Sequence, residues 1–343
     1  MPDLDIVTHI SVEKAQPGGY HYLHESTLAW HDGALYVGWA NHRLLEVNVK
    51  DELVRGRCSH DGGFTWGPAE TWAEAPLGGG ESFNHPVIAS ALGQLWGFFT
   101  RWEAKRPDTA IFTRDAASGQ WHETGARIPG FIPFRPPVKL RDGNWIMSGE
   151  VFWFDGAVAI SHGDDFSHWD VVTLPNPQAI KLHFAETTLL ELDDRMVAIC
   201  RPSRANSAPV AESRDGGRTW TPLVYSNFPL AESQPYCGTL STGQHYLITD
   251  NLQEERALFS IAVTAPGGSQ FTKVWKIRHQ QYPKRRLFGG WGGDSVPGGS
   301  MVGMPTEWSY PGVEEHDGKL YISYTQGKED CMLSIIPMSV LAV

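Results

Sequence analysis

Cysteine is scarce in this sequence, with four residues in 343, at Cys58, Cys200, Cys237 and Cys331. They form no CxxC pair and no zinc-ligand spacing, which excludes a disulfide-stapled scaffold and a zinc module and leaves no metal site to expect. Free thiols in a reducing cytoplasm are the expectation. The first residues, MPDLDIVTHIS, lack a basic stretch followed by an apolar one. No secretory signal is therefore predicted, and the chain is read as cytoplasmic, with a secreted form whose signal has been removed as the alternative. No apolar run approaches the roughly 20 residues of a membrane span. A basic surplus is also missing: the net charge is −11, which argues against nucleic-acid and anionic membrane partners. A small anionic substrate stays compatible, because a few local arginines outweigh the global field. There is no phosphate loop, no dinucleotide fingerprint and hence no cofactor to expect. Helical periodicity of useful length is absent.

What the chain has in quantity is turn residues and aromatics: 36 Gly, 23 Pro and 14 Trp, with 41% hydrophobic and 20% charged residues. That profile is globular and turn-rich. Aromatics in such number suit strand faces and the walls of sugar sites.

An internal repeat organises the rest. Ser59-His60-Asp61-Gly62-Gly63-Phe64-Thr65-Trp66 returns as Ser213-Arg214-Asp215-Gly216-Gly217-Arg218-Thr219-Trp220. Degenerate copies run from Thr113 to Trp121, from Ser161 to Trp169 and from Thr264 to Phe271, a period of about 50 residues. In this unit Asp bonds backbone amides of a tight turn, Gly takes the positive-φ positions and Trp packs beneath. The unit marks a fold and carries no chemistry of its own.

A second signal keeps phase with the first. Apolar strand, turn and strand recur around Gly33, Gly93, Gly143, Asp194, Gly243 and Gly318, as β-hairpins. Six units of about 50 residues predict an all-β fold, a six-bladed β-propeller with four-stranded antiparallel blades in one domain over residues 1–343. The interval from Gly243 to Gly318 exceeds the others by about 25 residues, half of what a seventh blade requires. The excess, Gly-rich and basic over 278–305, is read as a long loop between blades five and six. The strand Ile6–Ile10 is expected to pair with Met332–Ile336 and close the ring.

Counting back eight or nine residues from each turn locates the rim end of each innermost strand. There stand His24-Glu25, Asn84-His85, Phe134-Arg135, Ala185-Glu186, Gln234-Pro235 and Ser309-Tyr310. Five of these six blades offer an ionisable side chain, and Gln234 supplies the sixth position. Buried charge is costly unless paired or used, so the convergence points to a site. A ring of mutually satisfied polar groups around a wet channel is the alternative.

The repeat and this layout resemble the sialidase superfamily of BNR-repeat propellers over nearly the whole chain. His183-Phe184-Ala185-Glu186 through Arg201 is similar to the segment carrying the family's Glu and an Arg of its carboxylate-binding triad. Thr249 through Arg256 is similar to the segment of another triad Arg, and Tyr310 through Tyr321 to the one carrying the nucleophilic Tyr. The resemblance thus implies Tyr310 as nucleophile, Glu186 as its base, and Arg201 and Arg256 as carboxylate ligands. The family opens blade one with a Tyr/Phe-Arg-Ile-Pro segment, where this sequence has Tyr22-Leu23-His24-Glu25-Ser26, so His24 stands in place of the first Arg. Arg127-Ile128-Pro129 follows the second Asp-box and is out of phase. The family's acid lies before the first Asp-box, where Glu46 to Asp51 offers no matching Asp. Rhamnosidase-like enzymes and rhamnose-glucuronate lyases of the same superfamily widen the range of sugars.

Three readings follow. The first is an exo-glycosidase of sialidase type on an acidic glycan, with Tyr310 and Glu186 as catalytic pair, the acid drawn from His24, His42, Glu25 and Glu46, and Arg135, His85 and Gln234 lining the substrate. The second is a lyase eliminating across a uronate, with His24 or His85 as base and Tyr310 as acid. The third is a sugar-binding propeller without catalysis.

Overall fold

The computed structural model describes residues 1–44, 51–76, 79–152, 154–182, 184–203, 207–252, 255–279 and 307–343. Among them the chain forms six antiparallel sheets, five of which run outward in sequence order from their innermost strand. The innermost strands are Tyr22–His31, Glu81–Ala91, Phe131–Pro133, Thr187–Glu191, Tyr236–Thr239 and Trp308–His316. The third sheet adds the two-residue strand Val138–Lys139 beside Trp145–Val151. The sixth is completed by the N-terminal strand Thr8–Lys14, paired with Asp330–Pro337 in the register Thr8↔Ile335. First and last strands therefore share a blade and close the ring, as expected from the sequence. This is the six-bladed β-propeller, and it leaves few open edges.

Core apolar residues are distributed between blades rather than within one centre, because each twisted sheet is buried on both faces by its neighbours. Leu28, Leu35 and Val37 of blade one meet Tyr321 and Leu333 of blade six. Phe98 and Ile111 of blade two meet Phe131 and Met147 of blade three. Burial of this kind, at roughly 25 cal/mol per Å² of apolar surface, is the main term holding the ring together.

Turn chemistry follows the sequence closely. Asp32-Gly33, Leu92-Gly93 and Asp317-Gly318 all have positive φ at both positions, the turn whose twist matches that of paired strands. In the two full Asp-boxes the bonding is duplicated. Ser59 donates to Asp61 (2.8 Å), and Asp61 accepts from the Thr65 amide (2.8 Å) and hydroxyl (2.6 Å). Ser213, Asp215 and Thr219 repeat it at 2.9, 2.9 and 2.6 Å. Those hydrogen bonds hold Asp61 down at about 2. Gly63, at φ +91°, has no room for a side chain: a Cβ there would lie 2.6 Å from Leu333.

The long segment read as a loop over 278–305 lies outside the described residues except at its start. There Arg278 and His279 continue the outer strand Phe271–His279 by pairing with Phe259 and Leu258, so these two residues are strand where a loop was expected.

Candidate active site

Three blades use one device at the rim. In blades one, two and six the inner strand carries a β-bulge, between His24 and Thr27, Asn84 and Val87, and Ser309 and Gly312. The second residue of each bulge is a non-glycine in the left-handed region: Glu25 at φ 57°, His85 at 41° and Tyr310 at 57°. A bulge re-aims a side chain, and strained non-glycine backbone of this kind costs of order 1–3 kcal/mol each. The Ser26 hydroxyl donates to the Tyr310 carbonyl (2.9 Å) and holds the blade-six bulge against blade one.

Blade four supplies a carboxylate and a guanidinium by simple register. Thr187 pairs with Cys200 in its hairpin, so the next rung outward sets Glu186 opposite Arg201, and the Arg201 amide donates to the Glu186 carbonyl at 3.1 Å. Their side chains form an ion pair at 2.8 Å, almost wholly buried. The Tyr310 hydroxyl donates a short hydrogen bond to the same carboxylate oxygen, and Arg201 also reaches that hydroxyl at 3.1 Å. Residues 109 and 124 positions apart in sequence thus share one hydrogen-bonded group. Arg256 lies over the Tyr310 ring, 5.8 Å from its centroid, tied to the Glu232 carbonyl (2.8 and 3.2 Å) and to Glu307 (3.4 Å). His24 packs its ring 4.1 Å from that of Tyr310 and meets Thr325 at 2.9 Å through Nδ1.

Burial, and then the negative charge of Glu186, pushes the Tyr310 hydroxyl well above its ordinary range. It is neutral and becomes a nucleophile only if Glu186 takes its proton as the new bond forms. Two further acids are shifted the same way. Glu150 is raised well above the carboxylate range by burial and by Glu186, and Asp250 by burial. Burial thus disfavours the charged form of both.

Of the remaining residues singled out in the sequence, His85 and Glu25 form their own pair at 3.2 Å, and the His85 amide donates to Glu25 at 2.7 Å. Burial lowers His85 to about 3, so its imidazole is neutral. Gln234 donates to the Phe134 carbonyl at 3.3 Å and lines a small recess with Glu25, His85 and Phe134. His42 is buried opposite Tyr22 and accepts from the Leu44 amide at 3.2 Å. Arg135, expected beside these groups, is not among them: its side chain lies in a separate cavity farther along the axis. The inner strand Phe131–Pro133 has ended before it, and Arg135 stands in a bend ahead of Pro136 and Pro137, where strand register no longer sets its direction. Arg127 sits on the outer strand of blade two, ion-paired with Glu123, and takes no part. Glu46 lies outside the described residues.

Glu150, Glu232, Asp250 and Glu307 were not singled out in the sequence, because only innermost strands were counted. Glu150 had a visible signal, as the one charge in the apolar second strand Trp145–Val151. Glu52 is a related omission. It follows the stretch searched for the family's acid, is buried, and accepts from Asn84 at 3.1 Å.

The BNR repeat-like domain family matches residues 46–322. No curated protein matches significantly. Among solved structures, the Hadza microbial sialidase Hz136 is similar at 13% identity and a TM-score of 0.76, covering 98% of this chain and 69% of that one. The Trypanosoma rangeli sialidase is similar at 12% identity and 0.68, covering 98% and 60%. A K499G mutant of the NanB sialidase from Streptococcus pneumoniae is similar at 13% and 0.64, covering 96% and 71%. The chain thus spans three fifths to seven tenths of these proteins, and the likeness is one of fold. By the family match over most of its length, this chain belongs to the BNR repeat-like family, and its propeller is similar in fold to those of sialidases.

Proposed function

We propose that this protein is an exo-glycosidase of sialidase type that cleaves a terminal glycosidic bond of an acidic glycan. The observation that carries the reading is the hydrogen-bonded group of Tyr310, Glu186 and Arg201. Tyr310 Oη attacks the anomeric carbon, its proton passes to Glu186, and the bond to the leaving oxygen breaks as that oxygen takes a proton from His24. Water then attacks the glycosyl-tyrosine, giving one proton to His24, and Glu186 returns its proton to Tyr310. A tyrosine nucleophile is a known alternative to the two-carboxylate arrangement. Its value here is electrostatic: a neutral pair of Tyr and Arg-bound Glu approaches a cationic transition state next to an anionic sugar without excess repulsion. Arg201 and Arg256 flank the hydroxyl and are the groups to bind a substrate carboxylate. A Trypanosoma rangeli sialidase has been solved with sialic acid bound and, separately, with 2,3-difluorosialic acid as a covalent intermediate, which is the same class of chemistry on a similar fold.

Elimination across a uronate is a second reading, favoured by the neutral His85 imidazole held by Glu25 beside the same rim. Incubation with aryl sialosides and with uronate-containing oligosaccharides separates the two. Hydrolysis releases a reducing sugar with no new ultraviolet absorbance, whereas elimination yields an unsaturated uronate that absorbs. Binding of either glycan without turnover would leave only a sugar-binding role.

A further inference from the structure

The far end of the central channel holds a second cavity, about 360 Å³ in volume. It is lined by the later halves of the inner strands, including Val313 and Leu240, and by Leu320 and Ile146 behind them. Arg135 enters it from blade three. The residue is only 9% exposed. One Nη donates a short hydrogen bond to the Leu189 carbonyl, and the guanidinium stacks on Tyr236, 4.6 Å from the ring centroid. Nε has no hydrogen-bond partner, and among the described residues no carboxylate lies within ion-pair distance of Arg135. The Ser148 hydroxyl, buried and also without a partner, lines the same cavity.

A guanidinium has five N–H donors. The Leu189 carbonyl, the Tyr236 ring and hydroxyl and the Cys237 thiol favour the charged guanidinium despite its burial, and they are all neutral partners that leave Nε open to an anion. The other arginines near the axis, Arg201 and Arg256, each face carboxylates. Arg135 alone of the three faces a cavity large enough for a small molecule.

We infer that this cavity binds a small monocarboxylate, its head on Arg135 and Ser148 and its apolar body against Val313, Leu240, Leu320 and Ile146. Three acids that line the cavity, from blades four and six, set the limit of one charge. Glu315 is engaged by the Ser241 amide at 2.7 Å and by its hydroxyl. Glu314 is raised by burial to about 7 and is largely protonated in mildly acidic solution. Glu191 also lines the cavity. Dianions and phosphates meet more repulsion there than a monoanion of the same size. The inference stands apart from the proposed glycosidase activity, because none of the residues it uses belongs to the Tyr310 group.

The test is calorimetric titration of the full chain with benzoate and with benzyl alcohol as its neutral analogue. Wild type and Arg256→Gln are expected to bind one benzoate with equal affinity. Arg135→Gln should bind it at least about tenfold more weakly, and benzyl alcohol should bind wild type at least about tenfold more weakly than benzoate. Where Arg135→Gln does not fold, Arg135→Lys keeps the charge without the fork and should weaken benzoate about fivefold. The inference is overturned if wild type binds no benzoate, if benzoate and benzyl alcohol bind alike, or if the arginine-135 variant tested binds as wild type does. Binding lost in Arg256→Gln but kept in the arginine-135 variant would place the carboxylate at the Tyr310 rim and would equally overturn it.

Discussion

The two ends of the central axis are built from the same six inner strands and handle charge in opposite ways. At the rim, Arg201 meets Glu186 at 2.8 Å and Tyr310 at 3.1 Å. At the far end, Arg135 meets a carbonyl and a ring. In the first case the cation is a structural member of a cluster, so removing it strands a buried carboxylate. In the second the cation is held by neutral partners, so removing it strands no opposite charge. Loss of the cation therefore has different consequences at two arginines of equal chemistry, and what decides between them is the partner.

The comparison can be broken in several places. The largest effect is expected at Tyr310. Replacing it with Phe removes the nucleophile and should lower kcat on an aryl glycoside of an acidic sugar by about 10⁴-fold or more, as losing a covalent nucleophile does elsewhere. The far-ultraviolet spectrum and melting curve should be unchanged within a few degrees. Retained activity in that variant would remove Tyr310 from the mechanism. Glu186→Gln should cost about 10²–10⁴ in kcat through loss of the base.

Next come the two arginines, compared by chemical denaturation. Arg201→Met leaves the Glu186 carboxylate buried and unpaired and should destabilise by about 3–5 kcal/mol, whereas Arg135→Met strands no opposite charge and should cost less, about 1–2 kcal/mol. Equal destabilisation by both would mean that Arg135 is paired after all.

A pH titration of stability gives a smaller effect. His85 is lowered from 6.5 to about 3 by burial, so between those values the unfolded chain binds more protons than the folded one. Stability is then fully present above about pH 6.5 and falls as pH drops towards 3, by about 2–4 kcal/mol. His85→Gln should flatten that fall, and an unchanged slope would show that the loss belongs to other groups.

Smallest is Asp61→Ala, which removes the anchor of one exposed turn. It should lower the melting temperature modestly and leave kcat as it was. Normal melting with lost activity would overturn the structural reading of the Asp-box.

Much of this was legible in the sequence because propeller repeats write their geometry locally. The Ser59–Trp66 and Ser213–Trp220 boxes and the six hairpin turns gave the blade count, and the closing pair of strands followed from it. Glu186 and Tyr310 could be brought together because each sits at a fixed offset from a hairpin turn, whereas Arg201 and Arg256 were named from the resemblance of their segments to the family's. Two things escaped. The direction of Arg135 is set in a bend after the strand Phe131–Pro133, next to Pro136 and Pro137, where a count of residues does not tell the two ends of a channel apart. Glu150 stands on a second strand, and its proximity to Glu186 is set by how blades three and four pack, a non-local fact. Glu46 and nearly all of the 278–305 segment fall outside the described residues.

That Tyr310 forms the bond to the sugar is tested most directly by peptide mapping after incubation with 2,3-difluorosialic acid. A glycosyl adduct on the Tyr310 peptide, absent in Tyr310→Phe, is the predicted outcome. An unmodified Tyr310, or a label on any other residue, would contradict it.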